Sequence, residues 1–212
     1  MEPIILIGGG GHCLSCIDVI MLENRFEIIG ILETSDKIGT MLSGIKIIGT
    51  DDDIPDLISR CHNFLITIGQ IKSSEKRFNI YNMVKSYGGN FPVIISPKAY
   101  VSSSATIDEG SIIMHKSLIN TRASIGKNCI INTGALIEHE VTIGDFCHIS
   151  TQAVVNGQVF VGKNSFIGSN SVIANNLTLP DKVILAAGAS LLRRPEKSGI
   201  YIGNPARLTT IL

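Results

Sequence analysis

What this 212-residue chain lacks removes several classes of function. It lacks charge imbalance: 18 basic and 18 acidic side chains give a formal net charge of zero, and no stretch gathers Lys and Arg into a stripe, so no nucleic acid is expected as a partner. It also lacks any apolar run approaching the roughly 20 residues that cross a bilayer, so no membrane insertion is expected. No basic leader with a cleavage site precedes the first apolar stretch, and the expected location is cytoplasmic. Cysteines number five, an odd count. The one close pair, Cys13 and Cys16, follows a glycine loop with no second pair beside it, and reads as helix packing rather than a metal or redox site. No two of His115, His139 and His148 are closely spaced, so a three-imidazole zinc centre has little support and no metal is expected.

The N-terminal part reads as alternating strands and helices. Pro3–Ile7 is an apolar run of strand length, Gly8-Gly9-Gly10-Gly11-His12 a tight turn, and residues 12–24 a helix. Glu27–Leu32 follows as a second strand, ended by the acidic Glu33. Such a βαβ unit aims backbone N–H groups and a helix N-terminus at a ligand, a natural phosphate site, although the loop can also be read as a turn and nothing more. The dinucleotide fingerprint G-x-G-x-x-G would need a glycine at position 13, where Cys13 stands, and this counts against NAD. Ile45–Ile48 reads as an edge strand, and Thr50-Asp51-Asp52-Asp53 as the cap of a helix to about Arg60, with Pro55 in its first turn. Phe64–Ile68 is a third parallel strand ending at Gly69-Gln70, and residues 73–87 form a helix. Residues 1–92 are therefore expected to form a small Rossmann-like α/β domain, half of a doubly wound sheet, with room for one mononucleotide rather than two.

From Ile95 onward the pattern changes. An aliphatic side chain stands at every sixth position, through Val101, Ile107, Ile113 and so on to Leu185 and Leu191, without one failure. A period of six fits neither helix nor strand and marks a repeat. Two positions earlier the side chain is usually small, as at Ala105, Ser111, Cys129, Cys147 and Ser165, so both positions point inward. Gly126, Gly144 and Gly162 lie 18 apart, so three hexads make one coil, a triangle of short β sides whose successive turns pair backbone to backbone. These glycines, with Asn120, Asn128, Asn132, Asn164, Asn170 and Asn176, are expected to supply left-handed corners. A non-catalytic β-helix used for assembly or surface recognition is one reading, but the Thr-x-Thr ladder of an ice-binding face is absent.

This repeat resembles the left-handed parallel β-helix of the hexapeptide-repeat acyltransferases, most of them trimeric, and the resemblance is the source of the expected handedness. Gly8–His12, the run Ile131-Asn132-Thr133-Gly134-Ala135-Leu136-Ile137-Glu138-His139-Glu140 and the tail Gly203-Asn204-Pro205-Ala206-Arg207 carry it over the whole chain. With these the sequence is similar to the sugar acetyltransferases of the sialic acid O-acetyltransferase and bacillosamine N-acetyltransferase group. The resemblance implies a nucleotide-sugar-binding domain over residues 1–92 and an acetyltransferase β-helix with a C-terminal tail over residues 93–212. It implies acetyl-CoA as co-substrate and, as acceptor, the amino group of a nucleotide-linked 4-amino-4,6-dideoxy sugar made for surface glycans. It also implies roles: His139 as general base with Glu140 fixing its ring, His148 near the thioester, and Ser169 and Ala187 contacting the cofactor through their backbone. Gly11, His12, Glu33 and Gly69 match positions that hold the nucleotide sugar, with Gly10 in the same turn. Two alternatives stand beside this one. Ser150-Thr151 to Asn156-Gly157 resembles the branch that O-acetylates sialic acid or a related sugar, and the hexapeptide-fold carbonic anhydrases are zinc enzymes.

His139 lies two residues beyond inward Ile137, at a corner, and so is expected to project outward, as is His115 in the equivalent hexad slot. His139 and His148 stand nine residues apart, half a coil, and so point in different directions. If both serve one acetyl group, a neighbouring chain should complete the site. A homotrimer is expected, its buried faces carrying apolar residues such as Phe146, Phe160 and Phe166. The six-residue phase never slips, so no loop leaves the coil to bind the acceptor, and the N-terminal domain is the available candidate.

Overall fold

The computed structural model describes residues 1–212. In its N-terminal part, β1 (Glu2–Ile7), β2 (Phe26–Leu32), β3 (Met41–Leu42), β4 (Ile45–Gly49) and β5 (Asn63–Ile66) form one sheet in the order β3-β4-β2-β1-β5. β1 runs parallel to both β2 and β5, and β4 parallel to β2, whereas β3 returns antiparallel to β4. Helices α1 (Gly11–Glu23) and α3 (Glu75–Ser86) flank the sheet, with the single turn α2 (Ile54–Leu57) before β5. Alternate residues of β1 point to opposite faces, so Ile4 and Leu6 pack with Cys13, Cys16, Ile17 and Ile20 of α1, while Ile5 and Ile7 pack with Ile80 and Val84 of α3. Both cysteines of the early pair are thus buried, free and part of the core.

Two details differ from the sequence reading. The strand at Ile45 is not the edge: Ser43 and Gly44, at φ 48 and φ 80, turn the chain so that Met41–Leu42 pairs outside it. The helix after Thr50 is also shorter than expected. Thr50 and Asp53 do form the capping interaction, with the Thr50 N–H donating to Asp53 Oδ2 at 2.7 Å, but a 3₁₀ turn over Asp51–Asp53 and α2 complete the element. Within those turns only Ile54 is buried, too little apolar surface to hold a longer helix.

From Ile94 the chain winds as a left-handed β-helix, each two-residue strand pairing in parallel with the strand 18 residues further on, as Ile119 does with Ile137. The inward residues Ile113 to Leu191 are at most 2 % exposed and form one continuous core. Small inward neighbours keep the prism narrow, and their polar atoms are satisfied locally: the Ser111 hydroxyl donates to the Gly126 carbonyl at 2.7 Å and the Cys147 thiol to that of Gly162 at 3.2 Å. Three faces result, distinguished by their outward residues. One presents Ile94, Ile112, Ile130, His148, Phe166 and Ile184 and lies under the N-terminal domain. The second presents Tyr100, Leu118, Leu136, Val154 and Val172, and the third Thr106, Ser124, Thr142, Phe160 and Thr178.

The corners correct the expectation about glycine. Positive φ recurs every six residues, at Lys116, Arg122, Asn128, Gly134, Glu140, Phe146 and onward to Gly188, and includes Asn164, Asn170 and Asn176. Asn120 and Asn132 do not adopt it, nor do Gly126, Gly144 and Gly162. Those three glycines serve close approach instead. A Cβ at Gly144 would lie 2.8 Å from the Lys163 backbone N, and one at Gly126 2.8 Å from that of Asp145. Spacing alone could not separate a need for left-handed backbone from a need for room.

Docking of the N-terminal domain is apolar at its centre, where α1 covers Ile94, Ile112, Met114 and Ile130, and polar at its rim. Phe146 packs edge-on to Phe78 and Tyr81 at 5.5 and 5.6 Å, and Phe166 meets the His148 ring at 5.2 Å. Two of the three phenylalanines expected between chains are therefore engaged within one chain, and Phe160 alone stays exposed. At the rim Glu109 accepts from Tyr81 at 2.7 Å, Lys85 at 3.0 Å and Lys127 at 3.1 Å.

Gly144→Ala should therefore cost about 1–3 kcal/mol of stability. Gly188→Asn, at φ 68 with open space around it, should cost far less. Equal melting temperatures for the two variants would contradict the distinction. Burial alone would push the Glu109 carboxyl up, but its three donors carry it down from 4.5 to about 2. A depressed carboxylate contributes stability that is fully present above 4.5 and lost as pH falls through about 2. Glu109→Gln should therefore flatten the acid dependence of the melting temperature in that window, and an unchanged profile would show the cluster to be energetically idle.

Candidate functional site

Residues implicated by the sequence fall into three places. His139 sits on the corner between the second and third faces, its side chain 50 % exposed and its Nδ1 3.5 Å from Glu140 Oε2. Glu140 occupies the left-handed corner position, φ 58, and is held from the coils on either side: Gln158 Nε2 donates to it at 2.9 Å and Arg122 Nη1 at 3.4 Å. Hydrogen bonds from Gln158 first and His139 second keep the Glu140 carboxyl below its ordinary value, so it is an anion at neutral pH. Beside His139, in the next coil, is Gly157. A Cβ there would come within 2.5 Å of His139 Nε2, so glycine leaves the ring free to hold this position, and a larger residue would displace it.

The second place is a cleft of about 670 Å³ where the two domains meet, lined by Gly11, His12, Ser15, Gly69, Gln70, Ile71, Asn132, Thr133, His148 and Thr151. Its donors and acceptors come from the start of α1, the loop after β5, and the corner after the docked face. His148 leaves the prism outward, as expected, but is 8 % exposed because the domain covers it. Its Nδ1 lies 2.7 Å from the Gln70 carbonyl, which assigns the ring proton there and leaves Nε2 as acceptor for Asn132 Nδ2 at 3.1 Å. Burial lowers the His148 pKa to about 4, against the raising effect of the Gln70 carbonyl and with the help of the Arg77 charge. His12, 6.4 Å away between ring centroids, is lowered to about 3 by burial, then Arg77, then His148. Both imidazoles facing the cleft are neutral at neutral pH, and no carboxylate lines it.

The third place lies across the glycine turn. A pocket of about 230 Å³ is bounded by Gly8, Leu32, Glu33, Thr34, Thr50, Asp51, Asp52, Ile68 and Lys76, at the C-terminal ends of the strands. Glu33 accepts from the Gly9 N–H and the Thr34 N–H and pairs with Lys37 at 3.5 Å; burial raises its pKa, but these contacts leave it below the ordinary value. Glu33 is thus separated from Gly11, His12 and Gly69 by the turn itself. Gly8 needs to be glycine, with φ 106, but Gly10 at φ −84 and Gly11 have open space around them, so no fold requirement explains those two. α1 begins at Gly11 with no side-chain cap and no acidic residue in its first turn. Its first amides lack intrahelical partners and its dipole favours an anion.

Ser169 and Ala187 stand on the corner that carries Thr133 and Thr151, each 18 residues beyond the last, so the four form one column running away from the cleft. Ser169 Oγ meets Ser150 Oγ at 2.9 Å, and Ala187 is exposed. His115 begins the same column, but bonds to Asp18 Oδ2 at 2.7 Å and Ser96 Oγ at 2.5 Å. The cleft and the His139 corner flank opposite edges of the second face. One chain does not bring His139 and His148 together. The sequence reading missed Gln70, Asn132, Gly157 and Gln158. An offset of 18 from His139 and Glu140 points to the last two; no local signal marks Gln70.

Residues 3–84 match the family model of the PglD N-terminal domain, residues 122–157 that of the bacterial transferase hexapeptide (six repeats), and residues 158–193 the hexapeptide repeat of succinyl-transferase. Among solved structures, perosamine N-acetyltransferase from Caulobacter crescentus, in complex with CoA and GDP-perosamine, is 26 % identical, with a TM-score of 0.92 over 99 % of this chain and 97 % of that one. The acetyltransferase domain of PglB from Neisseria gonorrhoeae is 25 % identical, with a TM-score of 0.91 over 99 % of this chain and 100 % of that one. WeeI from Acinetobacter baumannii, at 21 % identity and a TM-score of 0.84, covering 98 % of this chain and 100 % of that one, shares the fold. With its glycine turn, its interdomain cleft and its uninterrupted hexapeptide coil, the chain joins a PglD-type N-terminal domain to a left-handed hexapeptide β-helix and is similar over nearly its full length to sugar acetyltransferases of that architecture.

Proposed function

We propose that this protein transfers the acetyl group of acetyl-CoA to the amino group of a nucleotide-linked 4-amino-4,6-dideoxy sugar. The observation that carries this reading is the cleft between the domains, which sets the glycine turn and His12 beside His148 and Asn132 of the β-helix. Relatives similar over nearly the full length have been seen with CoA and GDP-perosamine, and with acetyl coenzyme A, which supports both substrates. The nucleotide sugar straddles the glycine turn. Its nucleoside takes the pocket beside Glu33, its diphosphate meets the amides at the start of α1, and its amino sugar enters the larger cleft. Acetyl-CoA lies along the column of Thr151, Ser169 and Ala187, its thioester toward His148.

The base comes from a neighbouring chain. Leu118, Leu136, Val154 and Val172 make a partly exposed apolar stripe on the second face, and that face separates the His139 corner from the cofactor column. Three copies packed through it bury the stripe and bring the His139 corner of one chain to the column of the next, so the protein is a homotrimer. In the reaction the sugar nitrogen attacks the thioester carbonyl, His139 Nε2 takes the ammonium proton as the C–N bond forms, and the C–S bond breaks to release CoA. Glu140, opposite Nδ1, fixes the ring and favours the imidazolium.

His139→Ala should lower turnover by about 10²–10⁴-fold with the melting temperature nearly unchanged, since the side chain lies outside the core, and Glu140→Ala should cost less. Thiol release from acetyl-CoA, measured across UDP-, dTDP- and GDP-linked amino sugars, reads both the rate and the acceptor. At sugar concentrations well below the raised KM, coexpressing a His139→Ala chain with a Gly10→Trp chain should give activity well above that of either variant alone, because a mixed trimer contains interfaces with an intact base facing an intact cleft. Activity in verified mixed trimers no higher than that of the separate variants would place the whole site within one chain. Gly10→Trp alone should raise KM for the sugar much more than for acetyl-CoA, without destabilising the fold, since open space surrounds that position. A loss confined to acetyl-CoA affinity would overturn the division between the domains.

A further inference from the structure

Arg77 is 2 % exposed and has no carboxylate partner. Charged side chains are rarely buried this completely without one. Its guanidinium is held by three backbone carbonyls, two at the end of β5 and just beyond it and one in the β-helix: Ile66 at 2.9 Å, Ile68 at 2.7 Å and Asn128 at 2.9 Å. Nε has no partner at all. An apolar side chain could join the domains at lower desolvation cost, so the charge and the fork call for a purpose beyond adhesion. Two residues past Ile68 lies Gln70, whose carbonyl accepts from His148 Nδ1 and whose side chain donates to the Phe146 carbonyl at 2.6 Å.

We propose that Arg77 is a positioning residue for acetyl transfer, clamping the Ile66–Gln70 segment to the β-helix so that His148 presents one fixed tautomer to the cleft. This rests on the reading of the cleft as the acetyl-transfer site. The fork fixes the segment, the Gln70 carbonyl fixes the Nδ1 proton, and Nε2 keeps its lone pair toward Asn132 and the substrates. The buried cation also acts through space, because an imidazolium at His148 would face a like charge. Around this group, α1 contributes His12 and Cys16, α3 contributes Arg77, and the β-helix contributes Cys129 and His148; none of them is bonded to a carboxylate. Burial lowers the Arg77 pKa to about 10, so the cation persists at neutral pH.

The test uses the full-length protein as Arg77→Lys, which keeps the charge and loses the fork, and Arg77→Met, which loses both. Folding and oligomeric state are verified first. His148 is titrated by NMR on histidine-labelled protein, assigned with His148→Asn. Its midpoint should stay low in wild type and Arg77→Lys and rise modestly in Arg77→Met, where burial, the larger cause of the lowering, remains. Arg77→Lys should lower kcat by up to about 10²-fold, the scale of a misplaced reacting group, with KM for the sugar nearly unchanged. Wild-type kcat in a folded Arg77→Lys protein overturns the clamp, and it decides the matter alone if Arg77→Met does not fold. An unmoved His148 midpoint in folded Arg77→Met overturns the electrostatic part. A wild type that releases no CoA with any amino sugar, while the midpoint still moves, overturns the acetyl-transfer reading instead.

Discussion

Register between coils is the constraint on which the rest of this molecule depends. Each coil hydrogen-bonds to the next so that residues 18 apart pair, as Leu118 does with Leu136, its N–H donating to the Ala135 carbonyl and the Leu136 N–H to that of Ala153. A side chain therefore always lies beside its equivalents one coil before and after. That rule makes the core continuous, makes glycine obligatory where two backbones come close, and turns single residues into columns. Glu109, Lys127, Asp145, Lys163 and Asp181 make one column, alternating in sign, with Lys127 3.1 Å from Glu109 and Lys163 2.7 Å from Asp145. The same rule places Arg122 and Gln158 on either side of Glu140 and Gly157 beside His139.

Legibility in the sequence follows from this constraint. Whatever depended on the period could be read: inward Ile137 and Ala135, outward His139, the parallel coils, and the half-coil offset that sends His139 and His148 in different directions. What depended on contact between distant segments could not. Phe146 and Phe166 are outward in register, as the period requires, yet whether such a residue meets α3, His148 or a second chain is decided by how the N-terminal domain sits, and no local pattern encodes that. Gly144 and Gly134 look alike in the sequence. One is crowded by Lys163, while the other takes the left-handed corner, φ 68, that Lys116, Arg122 and Glu140 also adopt. Within the first domain the strands of long apolar runs were legible, whereas Met41–Leu42 was not, because two residues carry no periodicity and only the Ser43-Gly44 turn announces it.

The candidate site divides the same way. The segment around His139 and Glu140 is contiguous and stands out by its motif. The cleft is assembled from the start of α1, the loop after β5 and two coils, so Gly11, Gly69 and His148 meet only when the domain docks. Docking also sets their chemistry. His148 on a bare prism would be a solvated imidazole. Covered by the Gln70 carbonyl and buried, it is neutral with a defined tautomer.

Neutrality in this cleft bears on what it can accept. An amine must reach the thioester without its extra proton, since the ammonium form has no lone pair to attack with. A cleft lined by carboxylates would bind the ammonium and hold the acceptor in its unreactive state. Here the lining holds no carboxylate, two imidazoles stay uncharged, and a buried guanidinium faces them both, so an ammonium gains nothing by entering before it loses its proton. Beside the proposed chemistry Glu138 accepts from the His139 backbone N–H, and Glu140 stands behind the His139 ring at Nδ1. From there it favours the charge that forms on the base after proton transfer and leaves the face toward the substrate neutral. A hydroxyl acceptor would need no such protection. The charge pattern of the cleft therefore favours nitrogen over oxygen as the atom acetylated.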